Sequence, residues 1–326
     1  MSGFGPLLDR FKGMRALVVG DLMLDEYIFG RATRISPEAP VMVVRQVGAK
    51  AVPGGAANVA LNLAALGCEV HVTGVVGTDS AGQTLERELI ERGSQVGSLV
   101  RDGGRITTRK TRVLADHAHQ VLRIDDEEDE PIRPEIESEL LERIEAALPG
   151  CDVVVLSDYL KGTLTERVVH ETINLCHCRR ITIVANPKPR SAALFNRATL
   201  ISLNRYEATD LLGLRYPLAL EDAADAASEL RLRLEVDGVL ITLGEAGMVA
   251  AGREGTISVR APRVEVYDTA GAGDTVVATV ALGHAAKGFE DEVFELAAQT
   301  GAKVVQRVGV ACPTPEDLED LRSSVR

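Results

Sequence analysis

The sequence predicts an α/β protein: a central, mostly parallel sheet flanked by helices, with a smaller antiparallel β unit set against it. Three observations carry this. Short apolar runs suited to buried strands recur in alternation with stretches of helical period. Thirty glycines punctuate the junctions. Two pairs of extended segments, near 25–47 and 106–125, interrupt the alternation and read as a small lid. At 326 residues the chain suffices for one large α/β domain with such an appendage, and a single domain over 1–326 is the expectation.

Composition narrows the function classes. The net charge of −12 argues against a general binder of nucleic acid or anionic membrane. Aromatic residues make up 3% with no Trp, which leaves few stacking platforms for single strands. The five cysteines, at irregular spacing, form no disulfide framework. Cys176-His-Cys178 lacks a second pair to complete a tetrahedral metal set. No signal-peptide core and no apolar run of membrane-spanning length are present, so a cytoplasmic protein is expected.

In chain order, residues 1–13 read as a short leader, and 15–21 as a buried strand ending in Gly20-Asp21. A dinucleotide fold would show Gly-x-Gly-x-x-Gly here; the chain instead runs Gly20-Asp-Leu-Met-Leu-Asp25, which weighs against a dehydrogenase. Asp21 and Asp25 follow a strand's carboxyl end, where open α/β sheets bind ligands; a pair of solvated turn carboxylates is the plainer alternative. Segments 26–30 and 41–47 are extended, joined by a link whose two prolines exclude helix. Pro53-Gly54-Gly55 opens a helix to about 66, with Asn58 in its first turn. A strand over 69–75 and a helix over 80–92 follow. Strands over 106–115 and 120–125 complete the lid. Helices over 134–148 and 165–178 alternate with strands over 152–156 and 181–185. Lys161 and Lys188 each follow one of these strands, so both are candidates to clamp a phosphate. A strand over 199–203 leads to Asn204-x-x-Glu207, a helix-capping pattern. A helix over 220–234 precedes a strand over 238–243 with Thr242 and Gly244 at its end. The last units are a strand-like lead-in over 264–267, helices over 273–286 and 290–306, and a tail to 326 holding a short helix.

The most informative stretch is Asp268-Thr-Ala-Gly-Ala-Gly-Asp274. Gly271 and Gly273 permit unusual φ angles and close backbone approach. The helix that starts there offers unpaired N–H groups and the positive end of its dipole to an anion. A carboxylate at that spot is unfavourable for anion binding alone. It makes sense where it must accept a proton from a nucleophile attacking the anion. The plain alternative is a helix N-cap.

The seven-residue string resembles the C-terminal signature of the ribokinase-like (PfkB) carbohydrate kinases. The likeness covers about residues 15–312. It implies a ribokinase-like fold with a β lid over the sugar. It makes Asp274 the catalytic base and the Gly271-Ala272-Gly273 amides, with Ala270, the anion hole. Asp21, Asp25, Gly54, Gly55 and Asn58 are then assigned to the sugar. Asn204, Glu207, Thr242, Gly244 and Asp268 are assigned to ATP and, through water at Glu207, to Mg²⁺. By analogy the family also suggests a homodimer through the lid.

Narrower strings point to one branch: Arg34-Ile-Ser-Pro-Glu-Ala-Pro-Val41, Thr107-Thr-Arg-Lys-Thr-Arg-Val113 and Leu156-Ser-Asp-Tyr-x-Lys-Gly162. They resemble the D-glycero-β-D-manno-heptose-7-phosphate kinases of ADP-heptose and lipopolysaccharide-core synthesis. That likeness assigns Lys161 and Lys188, with Arg112, to the 7-phosphate. Many such kinases are fused to a nucleotidyltransferase; this chain has no His-x-Gly-His motif and resembles the kinase half alone, as a stand-alone enzyme or part of a longer one. Asn186, Leu160 and Leu203 depart from the branch's usual Asp, Gly and Pro. Another sugar or nucleoside kinase is the nearest alternative, and a catalytically silent scaffold a more distant one.

Overall fold

The computed structural model describes residues 3–116 and 119–323. The ends of the expected leader and tail, and positions 117–118 of the lid, lie outside them. After α1 (Gly5–Phe11), β1 (Arg15–Gly20) runs directly into the long ribbon of β2 (Leu22–Ile35) and β3 (Met42–Gly55), and α2 (Ala56–Ala65) begins at once. Next come β4 (Glu69–Thr73), β5 (Val75–Gly77), α3 (Ser80–Glu91), β6 (Ser94–Gln95) and β7 (Val100–Asp102). The second hairpin, β8 (Thr108–Ala115) and β9 (His119–Asp126), leads to α4 (Pro134–Ala147). Then follow β10 (Val153–Ser157), α5 (Glu166–Arg179), β11 (Thr182–Asn186), β12 (Leu200–Asn204), α6 (Arg205–Leu211), α7 (Ala223–Arg233) and β13 (Gly238–Thr242). The chain closes with β14 (Met248–Gly252), β15 (Gly255–Val259), α8 (Ala272–Lys287), α9 (Asp291–Val304) and α10 (Pro315–Ser323).

The large sheet has the order β15-β14-β13-β12-β11-β10-β1-β4-β6. It is parallel except for β14 and β15. Its inner strands, such as β1 and β10, are apolar on both faces because helices cover both. Alternate residues serve opposite layers: Val153 and Val155 join the cluster of α2, α8 and α9, whereas Val154 and Leu156 join that of α4, α5 and α7. The chain order turns between β1 and β10, so the crevice beyond their carboxyl ends is the ligand position of an open α/β sheet. The same edge collects the ends of β11, β12 and β13, where Asn186, Asn204 and Thr242 line one cleft.

The smaller sheet, β3-β2-β8-β9, consists of two antiparallel hairpins joined by the parallel pairing of β2 with β8. Both arms of its first ribbon exceed the expected 26–30 and 41–47. Pro53, Gly54 and Gly55 belong to β3 rather than to the helix they were expected to open. The β14–β15 hairpin was not anticipated. Conversely, 264–267 is not a strand: the Tyr267 and Asp268 N–H groups both donate to the Val305 carbonyl after α9, outside any sheet. Among the described residues, no helix is long and apolar enough to cross a membrane.

Candidate active site

Gly271 caps α8 in a left-handed conformation (φ +79°), and this turns Asp274 inward from the first helical turn. Asp274 is 8% exposed, and both its oxygens are held. Oδ2 accepts from Asn58 Nδ2 at 2.6 Å and Oδ1 from the Tyr159 hydroxyl at 2.9 Å. Burial pushes its carboxyl up to about 6; the Asn58 and Tyr159 hydrogen bonds and the Lys188 charge oppose that rise, while Asp25 adds to it.

Beside it, among the described residues, the N–H groups of Gly271, Gly273 and Asp274 have no protein acceptor. Two of the four amides from Ala270 to Gly273 have protein acceptors. The Ala270 N–H donates to Asp268 Oδ1 at 2.9 Å, and that of Ala272 to the Thr269 carbonyl at 3.3 Å. Asp268, expected at the nucleotide, also accepts from the Gly309 N–H at 2.9 Å, so each of its oxygens holds a backbone amide of this turn.

Asn58 is expected to touch sugar hydroxyls; in the structure its side-chain amide donates to Asp274. A buried ladder supports it. Asn62 Nδ2 donates to the Asn58 carbonyl at 2.8 Å, and the Thr275 hydroxyl donates to Asn62 Oδ1 at 2.6 Å, tying α2 to α8. Asp21 is likewise corrected. Its carboxylate accepts the N–H groups of Tyr159 (2.8 Å), Lys161 (3.0 Å) and Thr163 (3.1 Å), so it shapes the loop after β10 rather than facing a ligand. Asp25 pairs with Arg112, whose guanidinium lies 5.5 Å from the Tyr27 ring centre. Gly54 makes room for that carboxylate: a Cβ there would come within 2.1 Å of Asp25 Oδ2. A Cβ on Gly55 would lie 2.6 Å from the Asp21 carbonyl oxygen.

The two candidate lysines have different partners. Lys161 pairs with Glu127 (2.9 Å) and Asp129, residues just beyond the lid. Lys188 pairs with Glu207 Oε1 at 2.7 Å and lies 4.9 Å from the Tyr159 ring centre. In sequence both follow strands; in the structure their carboxylate partners sit on different elements. Asn204 and Glu207 complete a capping box at the start of α6, with Glu207 Oε2 accepting the Asn204 N–H at 2.8 Å. Both Glu207 oxygens thus have protein donors. Asn186 donates to the Ser202 carbonyl at 2.9 Å, a bond that an Asp carboxylate cannot make.

A cleft of about 170 Å³ joins Asp274, Gly271 and Gly273 to Lys188, Glu207 and Thr242. Gly244 opens the short 3₁₀ turn just after Thr242. A second cleft, of about 310 Å³, lies against the lid and is lined by Tyr27, Lys50, Arg112, Asp268 and Gly309. Tyr159, Asn62 and Thr275 were missed by sequence reasoning. Tyr159 sits within the Ser157-Asp-Tyr-Leu-Lys161 string, whose strand-end position was its one available signal. Among the described residues no cluster of three or more His, Cys, Asp or Glu could hold a metal ion directly. Within the Cys176-His-Cys178 string, Cys176 is buried and Cys178 exposed.

Leu160 occupies a left-handed position (φ 57°) in the loop after β10. Such a conformation costs a side-chain-bearing residue about 1–2 kcal/mol, partly offset by the entropy glycine loses on folding. Leu160→Gly is therefore expected to raise unfolding free energy by about 0.5–1 kcal/mol in urea denaturation. A loss of stability would show that the Leu160 side chain contributes more by packing than its backbone costs.

A buried carboxylate, helix-terminal glycines and a lysine thus line one cleft. The pfkB family of carbohydrate kinases matches residues 15–317, and the chain belongs to that family. The chain is 40% identical over 316 residues to the bifunctional protein HldE of Citrifermentans bemidjiense, covering 95% of this chain and 63% of that one. It therefore spans a little under two thirds of that relative's length. In three dimensions it resembles phosphofructokinase-2 from Escherichia coli, with a TM-score of 0.79, 19% identity and 95% and 98% of the two chains covered. It also resembles Arabidopsis thaliana ribokinase complexed with ribose and ATP, at 0.76, 18%, 96% and 99%. At such identities the structural likeness speaks for the fold: ribokinase-like α/β. The chain is a carbohydrate kinase.

Proposed function

We propose that the chain transfers the γ-phosphoryl group of ATP to the anomeric hydroxyl of D-glycero-β-D-manno-heptose 7-phosphate. The product is the 1,7-bisphosphate, a step toward ADP-heptose and the lipopolysaccharide core. The observation that carries the chemistry is Asp274, a buried carboxylate beside the open amides of α8. The kinship with HldE proteins carries the choice of sugar. In this reading Asp274 accepts the hydroxyl proton as the sugar oxygen bonds to phosphorus and the bond to the ADP oxygen breaks. The Gly271 and Gly273 amides and Lys188 meet the charge on the phosphates. Asp25, Arg112 and Gly54 line the sugar side, with the lid excluding water. Mg²⁺, when bound, neutralises phosphate charge; Asn204 and Glu207 would hold it through water, which fits a Glu207 whose oxygens already have protein donors. A single cytoplasmic domain, pairing as a homodimer through the lid, completes the proposal.

The test is ADP formation with product phosphorus NMR on the heptose 7-phosphate, beside the unphosphorylated heptose, fructose 6-phosphate and ribose. A new anomeric phosphate with heptose 7-phosphate alone is expected. Turnover of ribose or fructose 6-phosphate in its place would discard the heptose while keeping Asp274. Because the base must be ionised, kcat/KM is expected to fall tenfold per unit below pH about 6, the value to which burial lifts Asp274. A flat acid limb down to pH 4.5 would count against Asp274 as the base.

A further inference from the structure

We infer that Tyr159 is a positioning residue for the base, its phenol fixing Asp274 Oδ1 while its ring seats Lys188 on the phosphate side. The inference rests on the kinase reading above and deepens it. Three contacts converge on this one side chain. Its hydroxyl donates to Asp274 Oδ1 at 2.9 Å. Its ring centre lies 4.9 Å from Lys188 Nζ. Its backbone N–H is pinned by Asp21 Oδ2 at 2.8 Å, so the ring is placed from the carboxyl end of β1.

Asn58 alone would leave the Asp274 carboxylate free to rotate about its Cβ–Cγ bond. Two donors, one to each oxygen, fix its plane and leave the remaining lone pairs for an acceptor hydroxyl. Burial and the charge of Asp274 raise the Tyr159 phenol well above its ordinary range, so it stays a donor. Because it donates to the charged form, it favours ionisation of a carboxyl that burial pushes the other way. The ring's π face meanwhile gives Lys188 a second support besides Glu207. The groups facing Asp274 are thus Asn58 from α2, Tyr159 from the loop after β10, Lys188 beyond it and the Asp25 carboxylate.

Two variants separate the two contacts. Tyr159→Phe keeps the ring and removes the donor. Its Asp274 carboxyl, followed by carbon NMR of the ligand-free protein with labelled aspartate, is expected to titrate about one unit higher than wild type. Turnover should then be about fivefold lower at pH 6 and restored by pH 9, with KM for ATP unchanged. Tyr159→Leu removes the ring as well and should raise KM for ATP about threefold. An unmoved Asp274 titration in Tyr159→Phe, or a loss of turnover that persists at pH 9, overturns the proposal. The ligand-free titration does not depend on which sugar is used. Wild type that turns over no sugar phosphate would overturn the heptose reading and leave the titration to decide the role of Tyr159.

Discussion

Asp274→Asn is expected to lower kcat about a thousandfold or more while making the fold more stable. Both effects have one cause. The carboxyl is lifted from 3.8 to about 6 because burial disfavours its charge. A raised folded-state pKa means the native state binds the proton more tightly than the unfolded chain. The contribution is fully favourable below pH about 4 and is lost as pH rises through about 6. At neutral pH the ionised base therefore costs the fold about 3 kcal/mol. Asparagine removes that charge and still fits: its oxygen can accept from Asn58 and its amide can donate to the Tyr159 oxygen. A melting temperature roughly 5 °C above wild type is expected at pH 7.5, and a difference that vanishes near pH 4. Nucleotide binding by calorimetry should persist, since the Gly271 and Gly273 amides are untouched. Near-normal turnover in this variant would remove Asp274 from its role, and a lower melting temperature would show that the amide cannot satisfy both donors.

The stretch 268–274 was legible because its chemistry is local. Glycines, a helix start and a carboxylate lie within seven residues, and the physics of a helix terminus needs nothing further. The buried strands were legible for a similar reason: a run such as Val153 to Leu156 suits only a sheet covered on both faces. What could not be read were the partners. Asn58 was picked out, but its bond to Asp274 spans 216 positions and depends on how α2 meets α8. Lys161 and Lys188 looked equivalent because both follow parallel strands. The acidic residues 127 and 129 claim one and Glu207 the other, and neither choice is visible before the loops close. Asp21 was noticed for its position at a strand end. The backbone amides that occupy it belong to a loop about 140 residues away. The β14–β15 hairpin escaped because Met248 to Gly252 is apolar without alternation, being buried throughout between β13 and β15.

Gly271→Ala and Gly273→Ala should behave oppositely although the residues are two apart in one turn. Gly271 has φ +79°, and a Cβ there would lie 2.8 Å from Asn58 Nδ2. Alanine therefore meets a left-handed backbone cost of about 1–2 kcal/mol. It also pushes the Asn58 amide from Asp274, leaving a buried carboxylate short of a donor at about 1.5–3 kcal/mol. The expected result is a loss of about 3 kcal/mol in unfolding free energy and a fall in kcat of about a hundredfold or more, because the base is no longer aligned. Gly273 lies inside α8, and a Cβ on it would meet nothing within 4 Å. Alanine there should stabilise the helix by up to about 1 kcal/mol. Yet Gly273 lines the cleft beside Asp274, so its methyl group would stand where a phosphoryl group must approach the amides, and activity should fall while stability rises. Urea denaturation and steady-state rates on both variants decide the matter. If Gly271→Ala is as stable as wild type, the Asn58 side chain can yield without cost and the two-donor grip on Asp274 is looser than its geometry implies. If Gly273→Ala keeps full activity, the phosphoryl group does not pass over this turn, and the open amides of α8 lose their part in the reaction.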